Sequence, residues 1–137
     1  MSERKVAVTR ARVGVAGLDD ILQGGLLPSH VYLLEGSPGT GKTTTALRFL
    51  MEGATIGEQG LYITLSETDA ELRAGAESHG WDLPDNIAIA ELVPPESLLD
   101  PEQQQSLLYS SDLELGETTK LIFEKIAQYA PRRIVID

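Results

Sequence analysis

The chain has 137 residues, 42% hydrophobic and 23% charged, with a net charge of −10, which suits one globular domain with a core. It contains no cysteine, so disulfides and thiolate metal sites are excluded and a reducing compartment is favoured. No apolar run reaches bilayer length and Met1–Lys5 has no apolar signal core behind it, so a cytoplasmic protein without a membrane partner is expected.

In chain order, Val31-Tyr32-Leu33-Leu34-Glu35 is a short apolar run rich in strand formers. It leads into Gly36-Ser37-Pro38-Gly39-Thr40-Gly41-Lys42-Thr43, after which residues 43–56 read as a helix with Leu47, Leu50 and Met51 on one face and Gly57 as its stop. Gly60–Leu65 is a second strand, and Thr68-Asp69-Ala70-Glu71 carries the capping-box pattern of a helix that ends at Gly80. Trp81–Asp85 is a turn, Ile87–Val93 a third strand closed by Pro94-Pro95, and residues 96–116 a polar, weakly periodic excursion with room for one short helix. Residues 117–130 form a helix with Ile122, Ile126 and Tyr129 on one stripe, stopped by Pro131, and Arg133–Asp137 is a buried parallel strand ending in a carboxylate. Strand and helix alternate, which predicts an α/β domain with a mostly parallel sheet flanked by helices and a ligand site at the carboxyl ends of the strands.

Charge is uneven along this order. Residues 74–119 hold ten acidic side chains and no Lys or Arg. A solvated face is the simpler reading and a partner-binding acidic surface the other; either repels nucleic acid. His30 and His79 stand without ligand spacing around them and read as surface or packing residues, and Trp81 as packing under its turn.

The segment Gly36–Thr43 fits the phosphate-binding pattern G-x-x-x-x-G-K-[ST] at every fixed position. Its glycines let consecutive N–H groups turn inward on an anion. Pro38 has no N–H, so the cradle runs from Gly39 to Thr43. Gly36, Ser37, Pro38, Gly39, Thr40, Gly41, Lys42, Thr43 and Thr44 are the expected nucleotide-binding residues. Lys42 meets the β- and γ-phosphates and is therefore also a catalytic candidate, while the Thr43 hydroxyl goes to Mg²⁺. Such a site also needs a carboxylate at the end of an apolar strand for the metal and a polar residue to orient the attacking water. Asp137 and Glu67 stand at those strand ends. ATP and Mg²⁺ are the expected cofactors.

Gly14-Val15-Ala16-Gly17-Leu18-Asp19-Asp20-Ile21-Leu22-Gln23-Gly24-Gly25-Leu26, ahead of the phosphate loop, resembles the leading segment of KaiC-like ATPases in the RecA/RadA superfamily. Leu65-Ser66-Glu67-Thr68 and Ser78-His79-Gly80-Trp81-Asp82-Leu83 extend the resemblance over nearly the whole chain. It implies a RecA-like fold, Mg²⁺-dependent ATP hydrolysis, a homo-oligomeric ring such as a hexamer, signalling-protein partners and, in some members, Ser/Thr autokinase activity. Where that family has two adjacent glutamates after the second strand, this chain has Ser66-Glu67. The catalytic role therefore passes to Glu67 alone, against the reading that it is an acidic residue placed by a helix dipole.

The resemblance also implies that a strand beyond Asp137 inserts between the Asp137 strand and the phosphate-loop strand. Residues 1–137 are then expected to be the N-terminal part of a larger ATPase domain, with phosphoacceptors and trans-acting fingers beyond it; Ser110 and Ser111 read as loop residues. The competing functions are a DNA-dependent recombinase or helicase motor of the same superfamily, which needs basic loops, and a nucleotide-gated binding module with little turnover.

Overall fold

The computed structural model describes residues 9–92 and 111–137; the readings for Val93, Pro94-Pro95 and residues 96–110 lie outside them. Its elements are α1 (Ala16–Ile21), α2 (Lys42–Thr55), β1 (Gly60–Thr64), α3 (Asp69–Ser78), β2 (Ile87–Glu91), α4 (Ser111–Tyr129) and β3 (Arg133–Ile136).

The helix ends follow from local chemistry. α3 opens on the expected capping box: the Thr68 hydroxyl accepts from the Glu71 backbone N–H at 3.1 Å, and the Glu71 carboxylate accepts from the Thr68 N–H at 3.2 Å. Its first turn takes a further acceptor from β2, since the Asp69 N–H donates to Glu91 Oε1. α2 stops where Glu58 N–H bonds the Gly53 carbonyl at 2.9 Å and Gly57 N–H bonds Ala54 at 3.1 Å, and α3 repeats this closure with Trp81 N–H on Ala76 and Gly80 N–H on Glu77. α4 begins at Ser111, earlier than Glu117: the polar stretch with Gly116 hides a helical turn whose sequence lacks an apolar stripe.

β1 pairs in parallel with β2 on one side and β3 on the other, giving the order β2-β1-β3. As the central strand, β1 is buried along its whole length. Its side chains alternate between two cores. On one face Tyr62 meets Leu47 and Leu50 of α2, Leu72 and Ala76 of α3, and Ile87. On the other face Leu61 and Ile63 meet the predicted α4 stripe, Ile122, Ile126 and Tyr129. The result is the expected α/β arrangement of parallel strands between helical layers, part of a RecA-like P-loop fold.

One expected strand is missing from this sheet. Among the described residues, Val31–Glu35 belongs to no ladder, and Val31 and Leu33 are 99% and 82% exposed. An extended apolar run becomes a strand only against another strand's hydrogen-bonding edge. β1 already has both neighbours. The strand order implied by the resemblance keeps the phosphate-loop run away from β3 as well.

Arg133 ties β3 to α2. It is 5% exposed, donates from Nε to Glu58 Oε1 at 3.0 Å and from Nη1 to the carbonyls of Phe49 (2.8 Å) and Arg12, and lies over the Phe49 ring. The leading segment is fixed by Asp19, 2% exposed, whose carboxylate accepts from the N–H groups of Val13 at 2.8 Å and Gly14 at 3.0 Å. Arg48 of α2 then donates to the Gly14 carbonyl at 3.0 Å. The middle of α2 is thereby tied on one side to the leading segment through Arg48 and on the other to β3 through Phe49.

Candidate functional site

Gly36–Thr40 is solvent-exposed and turns into α2 through two left-handed residues, Gly39 at φ 83° and Gly41 at φ 96°, the latter at the N-cap position. An L side chain is strained at both angles, which accounts for the glycines at these two pattern positions. The Thr40 hydroxyl donates to the Ser37 carbonyl at 2.7 Å and closes the turn from inside. No side chain caps α2. Its first N–H groups and the positive end of its dipole therefore face the loop, as anion binding requires. Lys42 bends back so that Nζ donates to the Gly36 carbonyl, which holds its charge over the loop.

Glu67 is positioned by Thr64, the buried last residue of β1. The Thr64 hydroxyl donates to the Glu67 carbonyl at 2.9 Å and accepts from the Glu67 and Ser66 N–H groups at 2.9 and 3.3 Å. This local knot satisfies the backbone where the strand ends. The N–H groups of Thr68, Asp69 and Glu71 are taken by Glu71, Glu91 and Thr68, so the Glu67 carboxylate is not a cap of α3. Among the described residues no hydrogen bond engages the Glu67 carboxylate. The side chain lines a hollow of about 220 Å³ with Thr43, Thr44, Glu71 and His79.

Asp137 reaches the same region through strand register. Tyr62 pairs with Val135, and Asp137, two residues on, falls on the same sheet face, the one covered by α2. The ladder runs past the strand ends: Asp137 N–H donates to Ile63 at 2.9 Å and Leu65 N–H to Asp137 at 2.7 Å. The Asp137 carboxylate is exposed, and its Oδ2 accepts from the Tyr62 hydroxyl at 2.8 Å. Burial pushes the Tyr62 phenol well above its ordinary pKa, and the bond to Asp137 and that residue's charge push it further; the Glu67 charge adds to this, while the Thr43 hydroxyl draws it down. The Tyr62 hydroxyl thus ties Asp137 to β1, while Thr43 and Glu67 line one hollow.

This donor set fits Mg²⁺, a hard cation that takes oxygen ligands: Thr43 would offer a hydroxyl and Asp137 a carboxylate. Among the described residues no group of three or more His, Cys, Asp or Glu side chains could cage a metal. Sequence reasoning missed Tyr62, because its partner is fixed by the register of strands far apart in the chain. His79 and Trp81, read as packing residues, stack at 4.8 Å between ring centres, with the Arg48 guanidinium over Trp81 at 5.4 Å.

A phosphate loop at a helix head, with carboxylates on the ends of neighbouring parallel strands, defines the P-loop NTPase class. The family described as "ATPase: KaiC" matches residues 11–137, and the chain belongs to it. It is similar to the circadian clock oscillator protein KaiC of Parathermosynechococcus lividus, at 33% identity over 95% of this chain and 24% of that protein. KaiC of Synechococcus elongatus is 33% identical over 96% of this chain and 25% of its own length. A UPF0273 protein of Pyrococcus horikoshii is 42% identical over 54% of this chain and 30% of its own. The chain thus spans about a quarter to a third of the relatives it matches. Among the described residues no helix is long and apolar enough to cross a membrane.

Proposed function

We propose that this chain binds Mg-ATP on the Gly36–Thr44 loop and helix head and hydrolyses it. Lys42 holds the β- and γ-phosphates, Thr43 and Asp137 hold Mg²⁺, and Glu67 orients the attacking water. The bound metal supplies charge neutralisation on the β- and γ-oxygens. The observation that carries this reading is the glycine turn at Gly39 and Gly41 that delivers the loop to the uncapped head of α2, with Thr43 and Glu67 lining one hollow there. Glu67 orients water well because its backbone is held by Thr64 while its carboxylate lines an open hollow.

In this reading residues 1–137 are the N-terminal part of a larger ATPase domain. The coverage of a quarter to a third of its relatives supports it, as does the unpaired run at Val31–Glu35. The complete protein assembles as a homo-oligomeric ring, a hexamer, in the cytoplasm, and its partners are ATP, ADP and a signalling protein. Ser/Thr autokinase activity is the extension that the family resemblance implies. Nucleic acid is not a partner: Glu77, Asp82, Asp85, Glu91 and Glu117 of the acidic segment are all solvent-exposed, and such a surface opposes phosphate tracking.

The test is calorimetry on the full-length protein and its Lys42→Ala variant, with turnover assayed with and without single-stranded DNA. Loss of the Lys42 charge removes a charge-assisted phosphate contact, for which at least about tenfold weaker ATP binding is expected. Unchanged affinity overturns the phosphate-loop assignment. DNA-stimulated turnover moves the recombinase or helicase reading into first place, and tight ATP binding with no turnover favours a nucleotide-gated module.

A further inference from the structure

Tyr62 is a fully buried side chain whose polar end reaches the site. It is 0% exposed, and its ring is wedged among Leu47, Leu50 and Leu72, so packing leaves its orientation little freedom. Its hydroxyl emerges at the carboxyl end of the sheet and donates to Asp137 Oδ2 at 2.8 Å. Among the described residues the Tyr62 hydroxyl is the only hydrogen-bond partner of the Asp137 carboxylate.

We propose that Tyr62 is a positioning residue for the metal–nucleotide site, in which its rigid, buried hydroxyl fixes the rotamer of the Asp137 carboxylate. The inference rests on the Mg-ATP reading above. A single donor engaged with Oδ2 leaves Oδ1 and the second lone pair of Oδ2 free to accept from metal-bound water. It also selects one carboxylate orientation in advance, and outer-shell partners of this kind tune metal affinity by orienting the inner groups. A core tyrosine whose hydroxyl merely finds a convenient acceptor is the alternative, and the two differ in what the hydroxyl does for the metal.

The experiment uses full-length protein, wild type and Tyr62→Phe, with a non-hydrolysable ATP analogue titrated calorimetrically in EDTA and in saturating Mg²⁺. Phenylalanine keeps the ring and its packing. The expected result is metal-free affinity within about twofold of wild type, while the Mg²⁺-dependent gain in affinity falls about tenfold, at the lower end of what outer-shell substitutions cost. Asp137→Asn lowers the same gain, and adding Tyr62→Phe to it lowers the gain no further, because the residues act in series. Equal losses with and without Mg²⁺, or additive losses in the double variant, overturn the proposal in favour of a packing role. A Mg²⁺-dependent gain that Tyr62→Phe retains in full overturns it alone. A wild-type affinity indifferent to Mg²⁺ overturns it together with the Mg-ATP reading.

Discussion

At the scale of single residues, Glu67 carries the sharpest expectation. Its backbone is knotted to Thr64 and its carboxylate lines the hollow beside Thr43 and Thr44, so Glu67→Gln keeps shape and position and removes only charge. A group that orients water acts on the transition state more than on bound substrate. Mg-ATP affinity is therefore expected to change little, while turnover falls at least about tenfold. Single-turnover assays check this, and hydrolysis at the parent rate would assign the water to another residue. The chemistry-bearing residue types were legible in the sequence because their identities are the chemistry: Lys42 and Thr43 in a fixed pattern, and carboxylates at strand ends. Tyr62 was not legible. Nothing in Gly60–Leu65 marks one apolar-strand residue as the neighbour of a carboxylate in β3.

At the scale of elements, what a short window contains was readable. The capping box at Thr68–Glu71, the glycine stops after α2 and α3, and the α4 stripe all depend on residues within a few positions of each other. What needs a distant partner was not readable, and Gly53 illustrates why. It sits inside α2, where alanine favours a helix over glycine by about 1 kcal/mol. Yet a Cβ there would lie 2.5 Å from Arg133 Cδ, and Arg133 is held by bonds to Glu58, Phe49 and Arg12. Gly53→Ala is therefore expected to destabilise the protein by roughly 1–3 kcal/mol, the cost of overpacking. In an Arg133→Ala background the clash is gone and the same change should stabilise by up to about 1 kcal/mol. Denaturant unfolding of the four species measures both signs. Destabilisation of equal size in both backgrounds would remove Arg133 as the reason for the glycine.

At the scale of the molecule, the alternation of strand and helix gave the α/β class, while strand order came from the resemblance, because periodicity carries no information about which parallel strands are neighbours. The structure pairs β3 with β1 and leaves Val31–Glu35 outside any ladder among the described residues. Two apolar edges face solvent as a result: Val31 and Leu33 at 99% and 82% exposed, and Ile136 of β3 at 53%. Unpaired edges of this kind invite pairing with another chain. A polypeptide of residues 1–137 is accordingly expected to aggregate, exchange elements with a neighbour or unfold with low cooperativity. Extension through a strand that fits between β3 and Val31–Glu35 should bury both edges, restore one cooperative transition and permit ring assembly. Sedimentation and thermal unfolding of the two polypeptides side by side decide the matter. A monodisperse monomer of residues 1–137 with a single sharp transition would mean that Val31–Glu35 is accommodated without the inserted strand, and that the strand order implied by the resemblance does not hold for this chain.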